Sequence, residues 1–168
     1  MDKLLVSGKN YLKGSINVHG SKNAALPILV SSLLSDENLS LHNIPQVDDI
    51  RNMLKLLQSY GAKIIKNKNL ITINSQNLKN ISADYDIVRK MRASILILGP
   101  LLSRFGNAKI SLPGGCAIGT RPIDIHLHGL SKLGVNFKIE NGFVIGNVSK
   151  KLIGNKIKLP FPSVGATE

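Results

Sequence analysis

An internal duplication limits this chain more than any other property of its sequence. Leu33-Leu34-Ser35 returns as Leu101-Leu102-Ser103, and Ser59-Tyr-Gly-Ala-Lys-Ile64 is answered by Lys132-Leu-Gly-Val-Asn-Phe137. Around each pair the apolar periodicity runs in one order: helix, strand, helix, strand, strand. Such a unit of about 70 residues cannot bury its apolar face alone, so the repeats should stack on a common helical core. A third cycle opens within 151–168. There Pro162-Ser163 starts a helix at the point where the sequence stops, which leads us to expect a fragment of a longer chain.

The elements follow from local chemistry. Residues 3–19 alternate loosely around Gly8 and Gly14, which predicts two short strands and a turn. Ser21 is suited to cap a helix over Ala24–Leu34, with Pro27 near its first turn. Leu39–Leu41 is a short strand. Asp48 and Asp49 start a helix whose Ile50, Met53, Leu54, Leu57 and Tyr60 keep helical spacing and which Gly61 ends. Ala62–Ile65 and Leu70–Ile73 form a hairpin. In the second cycle, Asp84 or Asp86 should cap a helix reaching about Ser103 and kinked at Pro100. Lys109–Leu112 is then a strand, a helix with Ile123, Leu127 and Leu130 inward ends at Gly134, and a second hairpin spans Val135–Ile139 and Gly142–Ile145.

Composition excludes several classes. The apolar content is 43% with no tryptophan, so the core should be aliphatic. A single cysteine, Cys116, forbids an internal disulfide and suits a reducing compartment. Neither a signal peptide nor a membrane span is expected, and no metal or cofactor. The net charge of +12 admits nucleic acid as a partner. However, the lysines are scattered and aromatics make up only 4% of the chain, so stacking platforms are lacking.

The candidate chemistry lies in Leu112-Pro-Gly-Gly-Cys-Ala-Ile-Gly-Thr-Arg-Pro-Ile-Asp124. Cys116 sits among glycines that let a ligand approach the backbone. Thr120 can cap the next helix, with Arg121 or Pro122 at its first position, and a helix start beside an arginine suits an anion. Lys22 and Asn23 stand at the start of the first helix. A cation there opposes the helix dipole and is more readily explained by a bound anion than by stability. Lys22, Arg92 and Ser163 all fall near the first helix start of their cycles. Equivalent ends should face one side of the domain, so Lys22, Arg92 and Arg121 can form an anion funnel. The bland alternative is a buried cysteine, ordinary turns and unrelated surface cations.

Four stretches carry a family resemblance: Gly20-Ser-Lys-Asn-Ala-Ala-Leu-Pro27, Val88-Arg-Lys-Met-Arg-Ala-Ser94, the Cys116 loop, and Pro162-Ser-Val-Gly-Ala-Thr-Glu168. Through them the chain resembles the UDP-N-acetylglucosamine enolpyruvyl transferases of the EPSP synthase superfamily, over their N-terminal portion only. The resemblance implies an α/β fold, an inverted α/β barrel of βαβαββ units. Residues 1–20 would pack in the second domain. Residues 21–168 would form an incomplete first domain, with repeats at about 21–80 and 81–150 and the start of a third at 151–168. It also implies transfer of the enolpyruvyl group of phosphoenolpyruvate to the 3′-hydroxyl of UDP-N-acetylglucosamine, a cytoplasmic step of peptidoglycan synthesis and the target of fosfomycin. By match, Cys116 would be the proton donor and Lys22 the phosphate ligand, with Asn23 beside it. Arg92 would bind the nucleotide sugar. Arg121, Pro122, Ile123, Asp124 and Ile125 would line uridine and phosphates, and Ser163, Val164 and Gly165 would face the diphosphate. Phe161 stands where some relatives carry a lysine. The family's catalytic aspartate and a further phosphate-binding arginine come from the second domain, so the 168 residues should be inactive alone. The rivals are a non-catalytic nucleotide-sugar-binding module and a basic nucleic-acid-binding domain.

Overall fold

The computed structural model describes residues 3–79, 85–88, 91–112 and 123–168. The duplication is visible in the strand order. β1 (Asn38–His42), β2 (Lys63–Asn67) and β3 (Leu70–Asn74) form an antiparallel sheet ordered β1-β3-β2. β4 (Asn107–Ser111), β5 (Val135–Glu140) and β6 (Phe143–Val148) form a second, ordered β4-β6-β5. Each hairpin partner is flanked on its other side by the earlier strand, in registers such as Leu39 with Ile73 and Ile110 with Val144.

The helices lie within. α1 (Lys22–Ser31), α2 (Asp48–Ser59) and α4 (Leu98–Phe105) bury Leu29, Met53, Leu57, Leu98 and Leu102 in one aliphatic cluster. The inward strand residues Ile73, Ile110 and Val144 close over it, while Asn38, Ser40 and His42 face outward. Period-2 alternation thus sets which face of each sheet meets the helices. α5 (Asp124–Lys132) packs on β5, and the single turn α6 (Val164–Thr167) packs on α5.

The second helix of each cycle ends in the same way. Tyr60 and Leu133 close the helices, and Gly61 and Gly134 follow with φ of 99° in both cases. A left-handed residue there frees the chain to turn into the hairpin, and glycine adopts it without strain.

Several expectations need correction. Residues 3–19 contain no strand, and Leu4, Leu5, Tyr11, Leu12, Ile16 and Val18 lie in solvent. A strand needs a neighbour for its backbone groups, and none of the described residues pairs with this segment. The first helix is α-helical only over Lys22–Ser31 and tightens to a 3-10 turn at Ser32–Leu34. Pro27 lies in its second turn, which leaves the Asn23 carbonyl without its intrahelical donor.

The long helix expected to reach Ser103 is divided into α3 (Tyr85–Val88), a 3-10 stretch at Arg92–Ile97, and α4. Met91 is extended (φ −147°), and the buried Ser94 hydroxyl donates to the carbonyls of Met91 (2.6 Å) and Val88 (3.3 Å), which also accept the backbone amides of Ser94 and Met91. The helix break therefore falls at Met91. Pro100 sits in the first turn of α4, where its missing N–H costs nothing.

Arg104 ties the two repeats together. Its guanidinium donates to the carbonyls of Leu33 (2.9 Å) and Ser75 (3.1 Å) and pairs with Asp36. The Arg104 side chain is only 18% exposed, whereas in the Asp48–Arg51 pair the two side chains are 87% and 60% exposed. Replacing Arg104 with Ala should therefore cost about 1–3 kcal/mol, since it leaves part-buried carbonyls unpaired. Arg51→Ala should cost at most about 0.5 kcal/mol. Denaturant midpoints of the two variants test this difference.

Candidate functional site

Lys22 is the first residue of α1. Ser21 before it is extended, and its hydroxyl accepts from the Ala24 amide at 3.4 Å, so Ser21 caps the helix and Asn23 does not. The Lys22 ammonium lies 2.8 Å from Oδ2 of Asp49 in the first turn of α2. Lys22 and Asn23 are both exposed. Just upstream, the Gly20 amide donates to the Asn43 side-chain oxygen at 3.2 Å. A Cβ on Gly20 would overlap the Asn43 carbonyl, so only glycine fits this approach.

The second repeat brings its helix starts together in the same manner. Arg92 opens the 3-10 stretch, exposed, and its charge acts on His126 in the first turn of α5. Gly165 of α6 packs close to the ring, and a Cβ there would lie 3.3 Å from Nε2 of His126. Ser163 caps α6, its hydroxyl accepting from the Ala166 amide at 3.3 Å. Val164 is 77% exposed. The amides of such a first turn have no intrahelical acceptor. Arg92, Asp124 and Gly165 are thus gathered around one imidazole.

Burial lowers the His126 pKa below its usual value and the Arg92 guanidinium lowers it further, while backbone hydrogen bonding at Gly165 and the Asp124 carboxylate push it up. Nδ1 of His126 is buried with no hydrogen-bond partner among the described residues. The sequence reading did not include His126. The signal was present in the duplication: His126 precedes Gly134 as Met53 precedes Gly61, and Met53 is fully buried. A histidine thus stands in one repeat where the other carries a buried methionine. Asp49 was also missed as the partner of Lys22, having been read only as a helix start.

The side chains of Ile123 and Ile125 are buried, 8% and 7% exposed. Asp124 is exposed at the first position of α5. The Cys116 loop, with Thr120, Arg121 and Pro122, lies outside the described residues. Ile123 holds the cap position of α5 as described. Among the described residues no cluster of three His, Cys, Asp or Glu is set to hold a metal, and no helix is long and apolar enough to cross a membrane.

Comparison with known proteins places this arrangement. The family model of EPSP synthase (3-phosphoshikimate 1-carboxyvinyltransferase) matches residues 6–168. The chain belongs to the EPSP synthase family. Its similarity to one branch is high: it is 56% identical over its whole length to the UDP-N-acetylglucosamine 1-carboxyvinyltransferase of Pelagibacter ubique. It is 52% identical over 99% of its length to that of Buchnera aphidicola. It spans 40% of the length of both relatives.

Solved structures of the family agree in fold. The enolpyruvyl transferase NikO from Streptomyces tendae superposes with a TM-score of 0.72 at 19% identity, over 87% of this chain and 32% of that one. The EPSP synthase of Acinetobacter baumannii gives 0.69 at 17% identity, over 91% of this chain and 36% of that one. The two sheets outside a helical core agree with this family's inverted α/β barrel fold.

A histidine whose folded pKa is lowered contributes stability that is complete above its unfolded value of about 6.5 and is lost as pH falls through the lowered value. The thermal midpoint should therefore drop between about pH 7.5 and pH 5.5, and His126→Met should shrink that drop. Thermal melts of both proteins across this range check the sign.

Proposed function

We propose that this chain is the N-terminal part of an enolpyruvyl transferase that joins the enolpyruvyl group of phosphoenolpyruvate to the 3′-hydroxyl of UDP-N-acetylglucosamine and releases phosphate. The observation that carries this reading is the gathering of Arg92, Asp124, His126 and the Ser163–Gly165 turn at neighbouring helix starts. A guanidinium, an imidazole and free helix amides form an environment for a diphosphate. The high identity to relatives bearing that enzyme's name supports the choice of substrates.

In this reading Lys22 binds the phosphate of phosphoenolpyruvate, with Asn23 beside it. Arg92 and the Ser163–Gly165 turn hold the nucleotide diphosphate, and Arg121 to Ile125 flank the uridine. Ile123 and Ile125 contribute their backbone, because their side chains are buried. Cys116, as the thiol, protonates C3 of phosphoenolpyruvate while the sugar hydroxyl attacks C2. A positioned acid is what protonation of an alkene carbon requires. The cations meet the leaving phosphate with its charge already compensated.

Residues 1–20 belong with a second domain in this account. The exposure of Leu4, Leu5, Tyr11 and Leu12 supports that, since large apolar side chains in solvent call for a covering surface. The family draws its catalytic aspartate and another arginine from that domain, so the 168 residues alone should not turn over. The cytoplasm, where both substrates are made, is the proposed location.

The test uses the polypeptide at the full length its gene encodes. It should release phosphate from phosphoenolpyruvate only when UDP-N-acetylglucosamine is present. Cys116→Ser should reduce turnover about 100-fold or more while UDP-N-acetylglucosamine still binds, as expected on loss of a general acid. Unchanged turnover would remove the acid role. UDP-sugar binding without any turnover would favour a binding module. Steeply salt-dependent binding to DNA that UDP-sugar does not compete would favour a nucleic-acid domain.

A further inference from the structure

We propose that Asp49 is a positioning residue of the phosphate site: it holds the Lys22 ammonium while the site is empty and yields it to the incoming phosphate. This rests on the reading of Lys22 as the phosphate ligand.

Lys22 stands at the positive end of the ten-residue helix α1, whose first turn contains no acidic residue. A cation there is opposed by the helix dipole. Its compensation comes from another element, the Asp49 carboxylate at 2.8 Å. Asp49 is favourably placed itself, as an anion in the first turn of α2.

Two adjacent carboxylates are sorted by this geometry. Asp49 turns to Lys22, and Asp48 turns to Arg51 at 2.9 Å on its own helix. The meeting is also anchored from below. Gly20 is pinned to Asn43, which holds a left-handed backbone (φ 55°) in the connection from β1 to α2. One loop therefore fixes the chain just before Lys22 and delivers Asp49.

The Lys22 and Asp49 side chains are 49% and 34% exposed, and a pair this open adds little to stability. Its consequence is for the anion. A phosphate reaching Lys22 displaces a carboxylate in direct contact, and the carboxylate reclaims the ammonium when phosphate leaves. Asp49 so weakens the hold on product phosphate.

The experiment measures inorganic phosphate affinity by calorimetry in the full-length polypeptide. Asp49→Asn should bind phosphate about two- to fivefold more tightly, the range expected from removing one exposed competing charge. Asp49→Glu should restore wild-type affinity, and Asp48→Asn, with the same change in net charge, should leave it unaltered. Unchanged or weaker affinity in Asp49→Asn overturns the inference, as does an equal effect in Asp48→Asn. Lys22→Ala separates the two levels. If it leaves phosphate affinity intact, the reading of Lys22 itself fails. If it abolishes binding while Asp49→Asn is neutral, only the role of Asp49 fails.

Discussion

Burial of the apolar faces of α1, α2 and α4 against one another is the interaction on which the rest of this structure depends. Leu29, Met53, Leu57, Leu98 and Leu102 are removed from water almost completely. Each such side chain contributes about 1.5–3 kcal/mol, an upper estimate because the unfolded chain is already partly collapsed. Two repeats that share a core in this way must run their equivalent helices alike. Within each repeat, charges at neighbouring helix starts then meet: Lys22 with Asp49 in the first, and Arg92 with His126 in the second. The site is thus a by-product of how the aliphatic faces are covered.

The charges at those starts run against local stability. Lys22 begins a helix without an acidic neighbour in its first turn, and Arg92 opens the 3-10 stretch with none either. His126 is half-buried with an unpartnered Nδ1. Consistent local preferences mark the rest of the fold, and departures from them concentrate at functional positions. By contrast, Asp48 and Asp49 at the start of α2 obey the dipole. Asp49 of that helix and the unfavourable cation of its neighbour meet in one ion pair.

Much of this was legible in the chain itself. The duplicated Leu-Leu-Ser and the glycines 61 and 134 located both repeats, because a left-handed residue after a helix leaves a plain mark. Strands β1 to β6 were readable from alternation. The break at Met91 was not, because the run from Val88 to Leu102 keeps helical apolar spacing on both sides of it. Residues 3–19 were misread as strands because alternation records which side chains are apolar, not whether a partner strand exists. Of the proposed site residues, Lys22, Arg92 and Ser163 do fall at helix starts, as their places in the sequence led us to expect. Asp49 and His126 were missed because each serves through a contact made between elements distant in sequence.

The central claim is that duplicated helix starts converge on an anion. Proton magnetic resonance of the full-length polypeptide reads it directly through the imidazole of His126, followed during titration with UDP-N-acetylglucosamine. The account predicts that the nucleotide sugar shifts the His126 resonances and raises its titration midpoint, since a diphosphate beside the ring favours the imidazolium. Resonances of His126 that stay fixed at saturating nucleotide sugar would contradict it.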